Sequence, residues 1–225
     1  MPADPTPNTD FPHLHDPLVA GLLSAYAQGA FPMSEPGGDV AWYDPDPRGI
    51  IPLDDGGLRV SKTLRQRVRN GRFRVTTNAA FGRVIRACAQ PRGDDNDGWI
   101  DARIIDAYRR LHLAGCAHSI EAWLDADGES VLVGGLYGVH LGGLFAGESM
   151  FSRPELGGTD ASKVCLVHLW HHLRARGFTI LDTQFTNDHL RRLGGIEIGR
   201  EEYHRMLGIA VSADRDWQPF SVPFI

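Results

Sequence analysis

The amino-acid sequence predicts an α+β fold, a mixed sheet carrying helices with a small N-terminal lobe ahead of it. Three observations carry that expectation. Capped, helix-period segments precede strand-like segments joined by a turn at Asp125-Ala-Asp-Gly128. Beyond residue 160, helix and strand signals alternate one for one. Residues 31–58 are dense in Pro, Gly and Asp and break into turns and short strands. With 225 residues, 42% apolar and 23% charged, the chain has room for one large domain plus an appendage. That composition excludes wholesale disorder, collagen and coiled coil.

Residues 1–15 are expected to form a disordered tail, 16–58 the lobe and 59–225 the main domain. Asp16 caps a helix that Pro17 opens and Gly29 closes, with Leu18, Leu22 and Leu23 on its packing face. Ser61 caps a short basic helix ending at Gly71. Residues 73–77 alternate as a strand, and Asn78 caps a helix through Cys88. Residues 90–98 read as an acidic loop. Asp101 caps a helix to Gly115 with Ile104, Ile105, Tyr108 and Leu111 on its apolar face. Strands follow at 118–124, at 129–139 and from Leu141. A helix over 162–176, a buried strand over 178–182 and a short helix over 187–193 come next. A strand at 196–199 and a helix from Glu201 complete the chain. By analogy, this is the element order of the acyl-CoA N-acyltransferase fold.

Several chemistries are excluded. No run of about 18 apolar residues occurs, so no transmembrane helix is expected. The first residues lack the basic and apolar regions of a signal peptide. Cys88, Cys116 and Cys165 are odd in number and widely spaced, which points to reduced thiols and a cytoplasmic protein. Gly142-x4-Gly147 is followed by Glu148-Ser149, where a phosphate loop needs Lys and a hydroxyl. Phe151 stands where a nucleophile elbow needs its second glycine, so Ser149 is not read as a nucleophile. His168, His171 and His172 lack the His-Glu-x-x-His pattern and read as solvated or partly buried helix residues. Neither metal nor cofactor is expected.

The net charge of −5 hides an asymmetry: residues 59–110 carry thirteen basic and five acidic side chains. Lys62, Arg65 and Arg69 share a helical face and could neutralise successive phosphates along one strand. A solvated helix surface is the alternative, but no acidic residue lies between 56 and 93 to lace it with salt bridges. Glu148 sits in an apolar, glycine-rich stretch, where a carboxylate is costly unless it meets a cationic ligand or a neighbour such as Arg153. Asp182 ends a buried strand, and Gln184, two residues on, should point the same way. The alternative for Asp182 is a cap on the following turn. Trp42 and Trp99 could stack on a nucleobase or belong to the core.

In order along the chain, several strings resemble those of one family, the leucyl/phenylalanyl-tRNA–protein transferases. They are Gly29-Ala-Phe-Pro32, Trp42-Tyr-Asp-Pro-Asp-Pro-Arg48, Gly98-Trp-Ile100, Ala117-His-Ser-Ile-Glu121 and Gly134-Gly-Leu-Tyr-Gly-Val139. Gly147-Glu-Ser-Met-Phe-Ser-Arg153, Ala161-Ser-Lys163, Leu181-Asp-Thr-Gln184 and Asn187-Asp-His-Leu190 follow. The resemblance implies transfer of Leu or Phe, and Met less well, from aminoacyl-tRNA to the N-terminal Arg or Lys of a protein, marking it for N-end rule degradation. It implies that Asp182 and Gln184 polarise the acceptor amine and that Glu148 binds the acceptor or orders the site. It implies an apolar aminoacyl pocket, here Leu136, Met150, Leu166, Leu169, Leu173 and Leu181, with the terminal adenosine on Trp99. Lys62, Arg65 and Arg69 would then meet tRNA phosphates, and the protein is expected to be a monomer. This chain departs from the family pattern at Met33, where a Trp is usual, and in residues 154–160, which look inserted beside the site. The alternatives are an acyl-CoA-dependent N-acyltransferase of the same fold and a non-catalytic tRNA- or degron-binding adaptor. Gly157-Gly158 only loosely echoes the pyrophosphate turn the first needs, and the second leaves the Asp182–Gln184 pair without a purpose.

Overall fold

The Asp16 carboxylate accepts a hydrogen bond from the Leu18 amide at 2.9 Å, and Pro17 takes the first helical position of α1 (Pro17–Ala27). These are features of a computed structural model that describes residues 16–35, 37–91, 99–126 and 128–220. The N-terminal tail, the acidic loop from residue 92 to Gly98 and the last five residues lie outside the described residues. The buried stripe of α1 is Val19, Leu22 and Tyr26, spaced i, i+3, i+7. The expected face is therefore rotated: Leu18 is exposed and Leu23 only half-buried. The rotation places Tyr26 beneath the sheet, where its hydroxyl has partners.

The lobe contributes β1 (Phe31–Ser34) and β2 (Val40–Tyr43), an antiparallel pair. The next strand, β3 (Arg48–Ile51), leaves that pair and enters the large sheet. The sheet also contains β4 (Arg74–Thr77), β5 (Ala117–Ala126), β6 (Glu129–Leu141), β7 (Leu144–Ser152), β8 (Ile180–Gln184) and β9 (Ile196–Ile198). Its order is β4-β5-β6-β7-β8-β3-β9. The β7–β8 pair is parallel and the other described pairs are antiparallel, as an α+β mixed sheet requires.

Local capping sets the helices. Ser61 Oγ accepts from the Leu64 amide at the start of α2 (Lys62–Arg69), which buries Leu64. Asp101 accepts from the Arg103 and Ile104 amides at the start of α4 (Ala102–Leu113), and α4 buries Ile104, Ala107, Tyr108 and Leu111. The helix α3 (Phe81–Cys88) does not use the expected Asn78 cap. Asn78 adopts a left-handed backbone (φ 58°) and its side-chain oxygen accepts from the Ser119 amide on β5. Glu121 of β5 instead accepts from the Ala80 amide, so a cross-sheet carboxylate meets the positive end of α3.

The helix α5 (Ala161–Ala175) covers one face of the sheet, burying Leu166, Leu169 and Leu173 beside Leu136 and Leu181. A second apolar cluster lies between α1, α3, α4 and the opposite face. A third joins Ile50 and Ile180 to Tyr203 and Leu207 of α7 (Arg200–Val211). Asn187 caps the short α6 (Asp188–Arg192), which follows β8 directly. Among the described residues, no helix is long and apolar enough to cross a membrane.

Candidate active site

A cavity of about 350 Å³ opens between β1, the β6–β7 hairpin, α5 and the segment from β8 into α6. Met33, Trp99, Leu136, Met150, Leu166, Leu169 and Leu181 line it, so seven of the eight expected binding residues converge. Leu173 does not. It lies one turn further along α5, fully buried in the core below, because the same i, i+3, i+7 stripe serves the cavity wall and then the core. Phe31 and Phe185 add aromatic wall, packed edge-to-face with centroids 5.8 Å apart. Glu148, Thr183, Gln184 and Asn187 give the lining a polar end, and Ser149 and His189 are further polar lining residues.

Asp182 and Gln184 are both buried but face different surroundings. The Asp182 carboxylate is fully buried and lies on the α7 side of the sheet. Arg48 of β3 grips it with two hydrogen bonds, Nε to Oδ1 at 3.0 Å and Nη2 to Oδ2 at 2.6 Å. The Tyr203 hydroxyl donates to Oδ2 at 2.9 Å, and the Gln184 amide donates to Oδ1 at 2.8 Å. Burial pushes the Arg48 guanidinium toward neutrality, but the bonds and charge of Asp182 outweigh it and hold Arg48 more firmly protonated than usual. The simple alternation expected for residues 182 and 184 fails at the last residue of β8. Gln184 has a left-handed backbone (φ 57°), and the β3–β8 register shifts at Gly49. That twist turns the Gln184 side chain into the cavity while Asp182 holds its backbone from behind. A Cβ at Gly49 would stand 2.8 Å from the Phe185 carbonyl carbon, so the glycine permits this close crossing.

Glu148 of β7 is the titratable side chain at the polar end. Tyr26 donates to its Oε1 at 2.7 Å, Tyr108 to its Oε2 at 3.0 Å, and Gln184 Nε2 to its Oε1 at 3.1 Å. The two tyrosine hydroxyls are themselves 2.5 Å apart. Burial pushes the Glu148 carboxyl up to about 7, against the pull of the two tyrosine bonds. The charge of Asp182 adds to the rise and that of Arg48 opposes it. Both tyrosines are held well above the ordinary phenol range by burial and by the carboxylate beside them. The site therefore offers a carboxyl poised to exchange a proton near neutrality, an amide beside it and an apolar cavity.

Lys62, Arg65 and Arg69 are all exposed on α2. Arg67, Arg72 and Arg74 of the same basic segment have partners within the chain. Arg67 pairs with Asp160 at 2.6 Å, Arg74 with Asp125 at 2.8 Å, and Arg72 donates to the Gly157 carbonyl. Their partners come from outside the acid-free stretch, so the chain fold supplies the lacing that the sequence window lacked. Arg67 and Lys163 both hold Asp160, which ties α2 to the start of α5 beside the cavity.

Sequence reasoning missed Arg48, Tyr203, Tyr26 and the hydroxyl role of Tyr108. The Trp42–Arg48 string contained Arg48, but nothing local signals a partner 134 residues away. Trp42 is half-exposed and does not line the cavity. His168 and His172 are more buried than expected, and burial pushes both down to about 4, so they stand neutral. Among the described residues, no group of three or more His, Cys, Asp or Glu could hold a metal ion.

Comparison with known proteins bears on this arrangement. A family model described as leucyl/phenylalanyl-tRNA protein transferase matches residues 50–208, and one for the N-terminal domain of that protein matches 16–46. The leucyl/phenylalanyl-tRNA–protein transferase of Rhodopseudomonas palustris (strain TIE-1) is 51% identical over 188 residues, covering 83% of this chain and 79% of the relative. That of Herpetosiphon aurantiacus is 48% identical, covering 83% and 90%. That of Rubrobacter xylanophilus is 48% identical, covering 86% and 95%.

Proposed function

The chain belongs to the leucyl/phenylalanyl-tRNA–protein transferase family, and from that premise we propose how its cavity serves the aminoacyltransferase reaction. Leucine or phenylalanine, and methionine less well, moves from aminoacyl-tRNA to the N-terminal Arg or Lys of a protein, forming a peptide bond. The observation that carries this reading is an apolar cavity of about 350 Å³ with Glu148 and Gln184 at its polar end. Leu136, Met150, Leu166, Leu169 and Leu181 take the aminoacyl side chain. A wall without polar partners prefers Leu, Phe and Met over polar side chains. It separates apolar shapes only weakly, by about 1–3 kcal/mol per methylene. Trp99 and Met33 flank the terminal adenosine, the thioether packing on the ring. Lys62, Arg65 and Arg69 meet phosphates of the acceptor arm.

The donor ester is already activated, so the catalytic task is to orient the acceptor amine and remove its proton. Gln184 faces the reacting amine. Asp182 acts through it: clamped by Arg48 and Tyr203, it fixes the Gln184 backbone and so the direction of the amide. Glu148 binds the acceptor ammonium and receives its proton. Residues 16–58 form the lobe, which completes the donor side through Met33 and supplies Arg48 and Tyr26 to the site, and residues 59–225 form the catalytic domain. We place the protein in the cytoplasm as a monomer that marks substrates for N-end rule degradation.

The test is purified protein with leucyl-tRNA carrying labelled leucine and two peptides, one starting with Arg and one with Asp, beside a Gln184→Ala variant. Label in the Arg peptide alone, strongly reduced in the variant, is the expected result. Label in the Asp peptide overturns the acceptor assignment, and label in neither overturns the reading.

A further inference from the structure

The hydroxyls of Tyr26 and Tyr108 and the carboxyl of Glu148 form a closed triangle of oxygens. Its sides are 2.5 Å from Tyr26 to Tyr108, 2.7 Å from Tyr26 to Glu148 and 3.0 Å from Tyr108 to Glu148. Each side is a hydrogen-bond distance and needs one proton. With Glu148 ionised, the two hydroxyls supply only two. The third side, oxygen facing oxygen, then stands without a hydrogen in a buried site, which is costly. Gln184 does not fill it, because its amide donates to Glu148 Oε1 and reaches neither tyrosine.

From this count we infer that the Tyr26–Tyr108–Glu148 triangle is the receiver of the acceptor's proton, and that Tyr26 and Tyr108 are positioning residues for the transfer step. The inference rests on the transferase reading above. An N–H bond of the acceptor ammonium breaks and its proton passes to the Glu148 carboxylate, closing the third side. The freed lone pair attacks the ester carbonyl carbon and forms the C–N bond. The C–O bond to the ribose then breaks, and the leaving oxygen takes a second proton from the nitrogen. The triangle returns its proton to solvent when the products leave, so one proton is released per turnover.

The surroundings suit a receiver. Tyr26 and Tyr108 face Glu148 from α1 and α4, Gln184 and the Asp182 charge from β8, and Arg48 from β3. Tyr137 of β6 packs edge-to-face on Tyr108 at 5.5 Å, and His189 lies elsewhere along the same cavity. The Arg48 charge favours the ionised form of Glu148, but its paired hydrogen bonds go to Asp182.

The test compares Tyr26→Phe, Tyr108→Phe and Glu148→Gln with the parent chain on two acceptors. One is an Arg peptide. The other is the same peptide with its α-amine replaced by an aminooxy group, which is neutral at pH 7 and needs no proton receiver. With the amine acceptor, each tyrosine variant should be about tenfold slower or more. The rise of its rate with pH should move upward, because the carboxylate has lost a donor. With the aminooxy acceptor, the two tyrosine variants should match the parent within about twofold. Equal slowing on both acceptors makes the tyrosines structural supports and overturns the inference while leaving the transferase reading intact. Absence of transfer by the parent chain overturns that reading itself. If either tyrosine variant fails to fold, Glu148→Gln decides by the pH profile: with the amine acceptor the residual rate should lose the rise with pH near neutrality that the parent shows. An unchanged rise in that variant refutes the receiver.

Discussion

Replacing Glu148 by Gln should change how stability depends on pH, by an amount the site geometry sets. Burial holds the carboxyl at about 7 in the folded chain, against 4.5 for the ordinary group. Between those values the folded state keeps a proton that the unfolded chain has shed. The sign follows: stability from this group is fully present below about pH 4.5, falls as pH rises, and is gone above about 7. The gap corresponds to roughly 3 kcal/mol at 1.36 kcal/mol per pKa unit. The substituted amide cannot titrate, while all other groups stay the same, so the difference between the two chains isolates the carboxyl. Urea unfolding of both at pH 5, 6, 7 and 8 reads it directly. The variant should gain on the parent steadily across that range, by up to roughly 3 kcal/mol, and level off above neutrality. A difference that stays constant with pH would show that Glu148 is ionised throughout and would remove the poised carboxyl from the account.

Arg48→Met leaves the Asp182 charge buried without its bidentate partner and should cost about 3–5 kcal/mol, measured by urea unfolding at pH 7. Leu173→Ala should cost about 2–5 kcal/mol in the same assay without altering the Leu-to-Phe preference, because Leu173 packs in the core and not on the cavity. Leu166→Ala, by contrast, enlarges the cavity wall and should shift donor preference toward Phe in competition between leucyl- and phenylalanyl-tRNA. Lys62→Glu together with Arg65→Glu should weaken aminoacyl-tRNA binding and flatten its dependence on salt, by about one log–log unit for each phosphate no longer neutralised, while binding of an aminoacyl-adenosine fragment stays unchanged.

Features decided within a few residues were legible in the sequence. Asp16, Ser61 and Asp101 cap the helices expected of them, because an N-cap answers to amides two or three positions ahead. Asn78 escaped, since β5 offered its side chain partners that outcompeted the helix start. The cavity wall was legible apart from Leu173: a stripe on α5 looks the same whether it faces a pocket or a core, and only the depth of the cavity separates the two. The polar network was the least legible part. Tyr26 reaches Glu148 across 122 residues and Arg48 reaches Asp182 across 134; Tyr108 reads as ordinary core on an amphipathic helix, and Tyr26 lies off the face expected for its helix. The pairing of Asp182 with Gln184 rested on strand alternation, which a register shift and one left-handed residue undo. Proximity in sequence thus singled out two neighbouring residues, and the irregular strand end turns their side chains to different surroundings.

The central claim is that this cavity delivers an aminoacyl group from tRNA onto an α-amine. Its most direct test is the mass of an Arg peptide after incubation with the protein, leucyl-tRNA and acetyl-CoA together. The expected product has gained one leucyl residue, located by fragmentation on the N-terminal amine, with no acetylated peptide. An acetylated peptide without leucyl addition would contradict it and point to an acyl-CoA donor in the same cavity.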